Sequence, residues 1–123
     1  MAGFRAERIA ELIHAELARR LRVEVKDPRL EPISITAVKV SGDLQHAHVR
    51  FVPLGGGEAS IDLCDALEQA ARSLRGPIGR ALRLRRAPEI VFEVDRLFEQ
   101  AVHVSQMLDG IAGEGEPDGG DES

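Results

Sequence analysis

Apolar residues recur at a spacing of four through the first stretch of the chain: Ile9, Ile13, Leu17 and Leu21, with Ala6 and Leu12 alongside. That period predicts an amphipathic helix over residues 5–24. Arg5, Arg8, Arg19 and Arg22 fall mostly off the stripe, and His14 sits beside it. Glu16 precedes Arg20 at the favourable i,i+4 spacing, whereas Glu7 and Glu11 repel at the same spacing. Pro28 and Pro32 then stop the helix, because the residue before a proline is pushed out of helical geometry. Residues 25–32 (VKDPRLEP) read as a turn in which Lys26 and Arg29 flank Asp27.

From Ile33 the period changes to two. ISITAVKVS (33–41) is β-branched and alternating, which predicts a strand. Its parity is broken: Ile33 and Ile35 share one face, Val38 and Val40 the other. Such a strand requires a bulge near Thr36–Ala37 or burial on both faces. SGDLQ (41–45) is a turn, and HAHVRFVPL (46–54) is a second strand in which Ala47, Val49 and Phe51 alternate with His46, His48 and Arg50. So short a link predicts an antiparallel hairpin.

A GGGE loop follows, then a second helix over 59–75. Ser60 is placed to cap it, Asp62 lies in its first turn, and Leu63, Leu67, Ala70 and Leu74 form its inward stripe. Cys64 is expected to pack as a small apolar group. Pro77 lacks an N–H and clashes one turn back, yet suits the first position of a helix. A separate helix is therefore expected over 77–84, with 85–88 as a connector. EIVFEVD (89–95) predicts a third strand with Ile90, Phe92 and Val94 inward, and 97–111 a last helix. The segment from Ala112 onward is rich in Gly and acids and is expected to be disordered.

Charge changes the picture more than composition does. The 123 residues are 43% apolar and 30% charged, as in a single globular domain. No apolar run approaches the ~18 residues of a membrane span, and no hydrophobic leader precedes the charged first helix. One cysteine excludes an internal disulfide and a multi-cysteine zinc site. These features predict a cytoplasmic protein. The net charge of -5 comes from the end of the chain, where Glu114, Glu116, Asp118, Asp121 and Glu122 stand without a base. The remainder is balanced, and within it RSLRGPIGRALRLRR (72–86) holds Arg72, Arg75, Arg80, Arg83, Arg85 and Arg86 and no acid. Leu74, Ile78, Leu82 and Leu84 can anchor this stretch to a core.

A segment anchored on one side and cationic on the other suits an anionic partner, RNA first. The competing reading is a solvated helix face whose arginines pair with nearby acids. With four Phe and no Tyr or Trp, RNA contact would be to phosphate and shape rather than to stacked bases. Arginine suits phosphate because its planar fork donates bidentately. Lys26 and Arg29 are a candidate extension of the surface. His46 and His48 share a strand face, but no third ligand stands near, so a polar strand face explains them and no metal is expected. The glycine loop lacks the GK[ST] of a phosphate loop. No nucleophile–base or paired-carboxylate arrangement suggests an enzyme, and Glu89, Glu93 and Asp95 read as a solvated strand face.

Four segments carry a resemblance: Arg5-x-x-Arg8-Ile9, Glu24–Leu30 (EVKDPRL), Ser41–Val49 (SGDLQHAHV) and Gly79–Ile90 (GRALRLRRAPEI). In this order and spacing they resemble the ribosome-binding factor A family over roughly residues 4–110. The resemblance implies an α+β, type II KH-like fold (α-β-β-α-kink-α-β plus a C-terminal helix), with helices on one face of a three-stranded sheet. The domain would span 1–111 and the acidic tail 112–123. It further implies a monomeric bacterial assembly factor, without catalysis or cofactor. Such a factor binds free 30S subunits and 16S rRNA near the decoding region and promotes late maturation and 5′-end processing. A general single-stranded RNA-binding KH module is the alternative. The family's kink pattern, usually Ala-x-Gly, falls on Ala70-Ala71-Arg72, so Arg72 stands at the glycine position; Gly76-Pro77 is the other place for a bend. Gly76–Gly79 spells GxxG, but Pro77 has no N–H to offer a phosphate.

Overall fold

The computed structural model describes residues 2–98, Gln100 and Met107, with side chains from Arg5 onward. The elements run α1 (Ala2–Val23), β1 (Ile33–Val40), β2 (His46–Pro53), α2 (Ile61–Ala81) and β3 (Glu89–Val94). This is an α+β fold with a sheet of order β1-β2-β3. β1 and β2 pair as the antiparallel hairpin expected from their short link. β3 returns parallel to β2 through α2, a pairing that the periodicity did not indicate.

α1 begins three residues earlier than its pattern suggests. Ile9, Ile13 and Leu17 are buried as expected, with Ala6 and Ala10 beside them, but Leu12 is turned to solvent. The break at 25–32 is a tight Asx turn. Asp27 Oδ1 accepts from the Arg29 backbone N–H at 2.9 Å, and the Asp27 carbonyl accepts from Leu30 N–H at 2.9 Å.

The parity conflict in β1 is resolved by a bulge between Ile35 and Ala37. Ile33 and Ile35 lie opposite Pro53 and Phe51; past the shift, Val38 and Val40 lie opposite Val49 and Ala47. All four apolar residues thus meet the inward parity of β2, where Ala47, Val49 and Phe51 are at most 1% exposed. The extra residue, Thr36, donates its hydroxyl to Asp95 Oδ2 just past the end of β3. Asp95 Oδ1 also accepts from Phe98 N–H at 3.0 Å, in the manner of a helix N-cap. These bonds, the Thr36 hydroxyl first, hold the Asp95 carboxyl below its ordinary range.

α2 starts as expected: Ser60 Oγ accepts from Leu63 N–H at 3.0 Å, and Leu63, Leu67, Ala70 and Leu74 face the core. Cys64 is exposed rather than packed, because its helical phase lies off that inward stripe. The expectation of two helices is corrected. Helical backbone is continuous from Ile61 to Ala81, through both Ala70–Arg72 and Gly76–Pro77, with Pro77 inside. Proline removes one donor, which leaves only the carbonyl of exposed Ser73 without its intrahelical partner. Gly76 has no Cβ to meet the proline ring, which relaxes the usual restriction on the residue before proline.

The main core joins α1, α2 and the sheet around Ile13, Leu17, Val49, Leu74 and Ile78. A second cluster of Phe51, Leu63 and Leu67 takes in Phe92, whose ring meets Phe51 edge-on at 6.1 Å. The opposite parity forms the polar sheet face: His48 Nδ1 lies 2.9 Å from Glu93, and His46 Nε2 lies 3.6 Å from Glu89. Arg96–Phe98, Gln100 and Met107 are helical; the rest of the expected last helix and the acidic tail lie outside the described residues.

Candidate nucleic-acid interface

The arginines of 72–86 are distributed by how α2 ends and how the chain leaves it. Leu84 N–H bonds to the Gly79 carbonyl at 2.9 Å, and Arg83 N–H to the Arg80 carbonyl at 3.1 Å. Together these form a Schellman ending in which Arg83 occupies the left-handed position, with φ 57°. Glycine is the residue that such a position favours. Leu84 packs back on the core and holds the turn in place. The connector crosses close over Gly79, where an added Cβ would stand 2.7 Å from the Cβ of Ala87. Arg75 Nε and Nη2 bond the Ala87 carbonyl from the neighbouring turn.

This ending separates the six arginines. Arg75 is a clamp on the connector. Arg72 is exposed and lies 3.9 Å from Glu68, on the solvent side of the helix. Arg80 folds back over Gly76, with Nη1 3.3 Å from where a Cβ would be. It lies seven residues, two helical turns, beyond Ser73 and on the same line. Ser73 and Pro77 border a groove of roughly 710 Å3 between α2 and the 25–29 turn, with Ala70 and Leu74 in its floor and Lys26 on its wall. Arg83, Arg85 and Arg86 follow on the turn and connector, all exposed. Among the described residues none of Lys26, Arg80, Arg83, Arg85 and Arg86 has an acidic partner.

Arg29 also lines the groove but is already engaged. Nη2 and Nε bond both Asp27 oxygens at 2.8 and 3.1 Å, and Nη2 reaches Gln69 Oε1 at 3.4 Å. The Arg29 side chain is the main cause that drops the Asp27 carboxyl from 3.8 to about 2, helped by the Arg29 backbone N–H. Arg20 is likewise engaged, bonded to Glu16 at 2.8 Å and Glu24 at 2.9 Å.

Sequence reasoning did not assign Arg5 to the interface. The structure sets it with Arg85 and Arg86 around a cavity of roughly 190 Å3, bounded also by the hairpin turn at Asp43. The signal available was only that Arg5 lies off the apolar stripe. Nor were Gln69 and Ser73 singled out; their polarity becomes relevant only when the 25–29 turn packs beside α2. Aromatic platforms are scarce: Phe51 is buried and Phe92 packs on it, while Phe98 is half-exposed. No group of three or more metal-ligating side chains occurs among the described residues. No helix among them is long and apolar enough to cross a membrane.

Comparison with known proteins matches the model of the family "Ribosome-binding factor A" to residues 5–108. The chain belongs to the ribosome-binding factor A family. The protein of that name from Desulfitobacterium hafniense is 41% identical over 121 residues, covering 98% of this chain and 97% of the relative. That from Heliobacterium modesticaldum is 46% identical over 108 residues, covering 88% and 89%. The crystal structure of the Thermus thermophilus factor aligns with a TM-score of 0.63 at 25% identity, over 74% of this chain and 97% of that one. A Thermus thermophilus model fitted into an electron cryo-microscopy map of a complex of that factor with the 30S subunit aligns at 0.52 and 30% identity. It covers 69% of this chain and 93% of that one.

Proposed function

We propose that the chain is a cytoplasmic, monomeric assembly factor that binds free 30S subunits through 16S rRNA and promotes late maturation and 5′-end processing. It acts by binding, without catalysis or a cofactor. The observation that carries this reading is that Lys26, Arg80, Arg83, Arg85 and Arg86 have no acidic partner among the described residues. A solvated helix face would pair them with acids; among the described residues of 72–86 only Arg72 has such a partner, at 3.9 Å. Family membership and the relative fitted into a 30S complex support the choice of partner. The scarcity of exposed aromatic rings favours contact with phosphate and shape over base stacking.

Arg80, Arg83, Arg85 and Arg86 supply the rRNA contacts, with Lys26 across the groove. Arg29 contributes more by holding Asp27 than by donating to phosphate. Arg75 and Arg72 contribute charge at the margin. The test is binding to purified 30S subunits and to short unstructured oligonucleotides across a salt series. Preference for subunits is expected, with the log–log salt slope falling by roughly 0.7–0.9 in each of Arg80→Ala and Arg83→Ala. Unchanged slopes in both remove these residues from the interface. Equal or tighter binding to the oligonucleotides favours a general single-strand RNA-binding module instead.

A further inference from the structure

Three arginines from distant parts of the sequence border one small cavity. Arg5 comes from the beginning of α1, and Arg85 and Arg86 from the connector after α2. Ile9, buried at 6%, and Leu84, packed on the core, form apolar lining beneath them. None of the three arginines has a hydrogen-bond or ion-pair partner among the described residues. The one acid at the cavity, Asp43, is occupied by its own turn. Its Oδ1 accepts from Ser41 Oγ at 2.7 Å and Gln45 N–H at 3.1 Å.

Like charges gathered around a concavity repel one another, and apolar lining weakens the screening between them. The arrangement is relieved by an anion that accepts from more than one fork at once. A tetrahedral phosphate does so, offering oxygens in several directions to bidentate donors. The turn that forms the far wall is rigidly built. Leu44 adopts φ 62° and packs on the core, and its N–H bonds to the Ser41 carbonyl at 2.8 Å. That wall is therefore in place before any ligand arrives, which lowers the ordering cost of binding.

We propose that Arg5, Arg85 and Arg86 form one phosphate pocket that takes a single phosphodiester of the RNA strand. This makes the start of α1 part of the RNA-contacting surface, separate from the groove beside Lys26 and Arg80. The proposal rests on the rRNA-binding reading above and adds to it a residue, Arg5, and a stoichiometry of one phosphate for three arginines.

The test is a double-mutant cycle of Arg5→Gln and Arg86→Gln in the full chain, measured as affinity for purified 30S subunits across a salt series. Lys39→Gln, on the exposed polar face of the sheet, serves as the control. Each pocket variant is expected to weaken binding about tenfold and to lower the salt slope by less than the roughly 0.7–0.9 of a whole phosphate, since two arginines still hold it. The double variant is expected to lose less than the product of the two, since both forks share one phosphate. Lys39→Gln leaves affinity and slope near the wild type. In parallel, inorganic phosphate is titrated against the arginine side-chain N–H resonances, with shifts expected at Arg5 and Arg86 and abolished by either substitution. Wild-type binding retained unchanged in Arg5→Gln overturns the pocket while leaving the proposed function intact. Fully multiplicative losses overturn the shared phosphate. Phosphate-induced shifts at Arg5 without any effect of Arg5→Gln on subunit binding would reduce the pocket to an anion site unconnected with RNA, and also overturn it. A wild-type chain that fails to bind subunits overturns the function itself and this inference with it.

Discussion

Arg75 donates two hydrogen bonds to the carbonyl oxygen of Ala87, from Nε at 3.1 Å and from Nη2 at 3.0 Å. The guanidinium closes the connector against α2 across twelve residues of sequence. Arg75→Ala is expected to destabilise the fold by about 1 kcal/mol, the usual net value of such bonds near a surface. Its effect on the salt slope of subunit binding is expected to be smaller than that of Arg80→Ala. Chemical denaturation and a salt series on the same variant check both halves.

Gly79 allows the connector to cross α2 at contact distance. A methyl group there would meet the Ala87 Cβ at 2.7 Å and its Cα at 3.5 Å, so backbone must move. Alanine is the better helix former by about 1 kcal/mol, but overpacking typically costs about 1–3 kcal/mol. Gly79→Ala is therefore expected to lower stability by roughly 1 kcal/mol. Ala87→Gly, mildly harmful alone, is expected to become beneficial in the Gly79→Ala background. Loss of stability that Ala87→Gly does not reduce would place the strain elsewhere.

Arg83 holds a left-handed backbone at the position of a Schellman ending that glycine suits best. An L side chain there costs roughly 1–2 kcal/mol, partly offset by the greater freedom of glycine in the unfolded chain. Arg83→Gly is expected to raise stability by about 0.5–1 kcal/mol while weakening subunit binding and its salt slope. Stability and binding that fall together would show that the side chain supports the fold instead.

Asp27 makes the acid side of the stability curve steeper. Its carboxyl is held at about 2 in the folded chain, chiefly by the Arg29 side chain, against 3.8 in the absence of that contact. A depressed carboxyl contributes stability that is present above about pH 4 and is lost as pH falls toward 2. Wild type is expected to lose more stability than Asp27→Asn over that window. The other depressed carboxyls, Glu16, Asp43 and Asp95, are present in both chains, so the difference isolates Asp27. Urea unfolding at pH 5 and pH 2.5 provides the comparison, and parallel losses would dissociate Asp27 from acid stability.

The elements were legible in the sequence because each has a strong local cause. The period of Ile9, Ile13 and Leu17 specifies a helix face, and the broken parity of Ile33, Ile35, Val38 and Val40 required a bulge near Thr36–Ala37 or burial on both faces, of which the structure shows the bulge. Ser60 marks the start of α2 by supplying an acceptor to a free backbone N–H. The concentration of arginine in 72–86 was also visible without coordinates. The α2 ending was not. Pro77 signals a break on its own, and helical backbone survives it because Gly76 offers no Cβ and tertiary packing buries Leu74, Ile78 and Gly79 on either side.

The grouping of the charges was decided by tertiary structure alone. Sequence spacing relates residues on one element, whereas a cavity is bounded by side chains of several. Arg5 borders the same cavity as Arg85 and Arg86 because α1, the hairpin turn and the connector come together there. Arg75 and Arg80, only five residues apart, diverge because one bonds the returning connector and the other folds back over Gly76. The chain by itself thus determined that it would carry a cationic stretch on an α+β frame. Which arginines remain without an acidic partner among the described residues, and which of them border the same cavity, depended on long-range contacts that the local pattern does not encode.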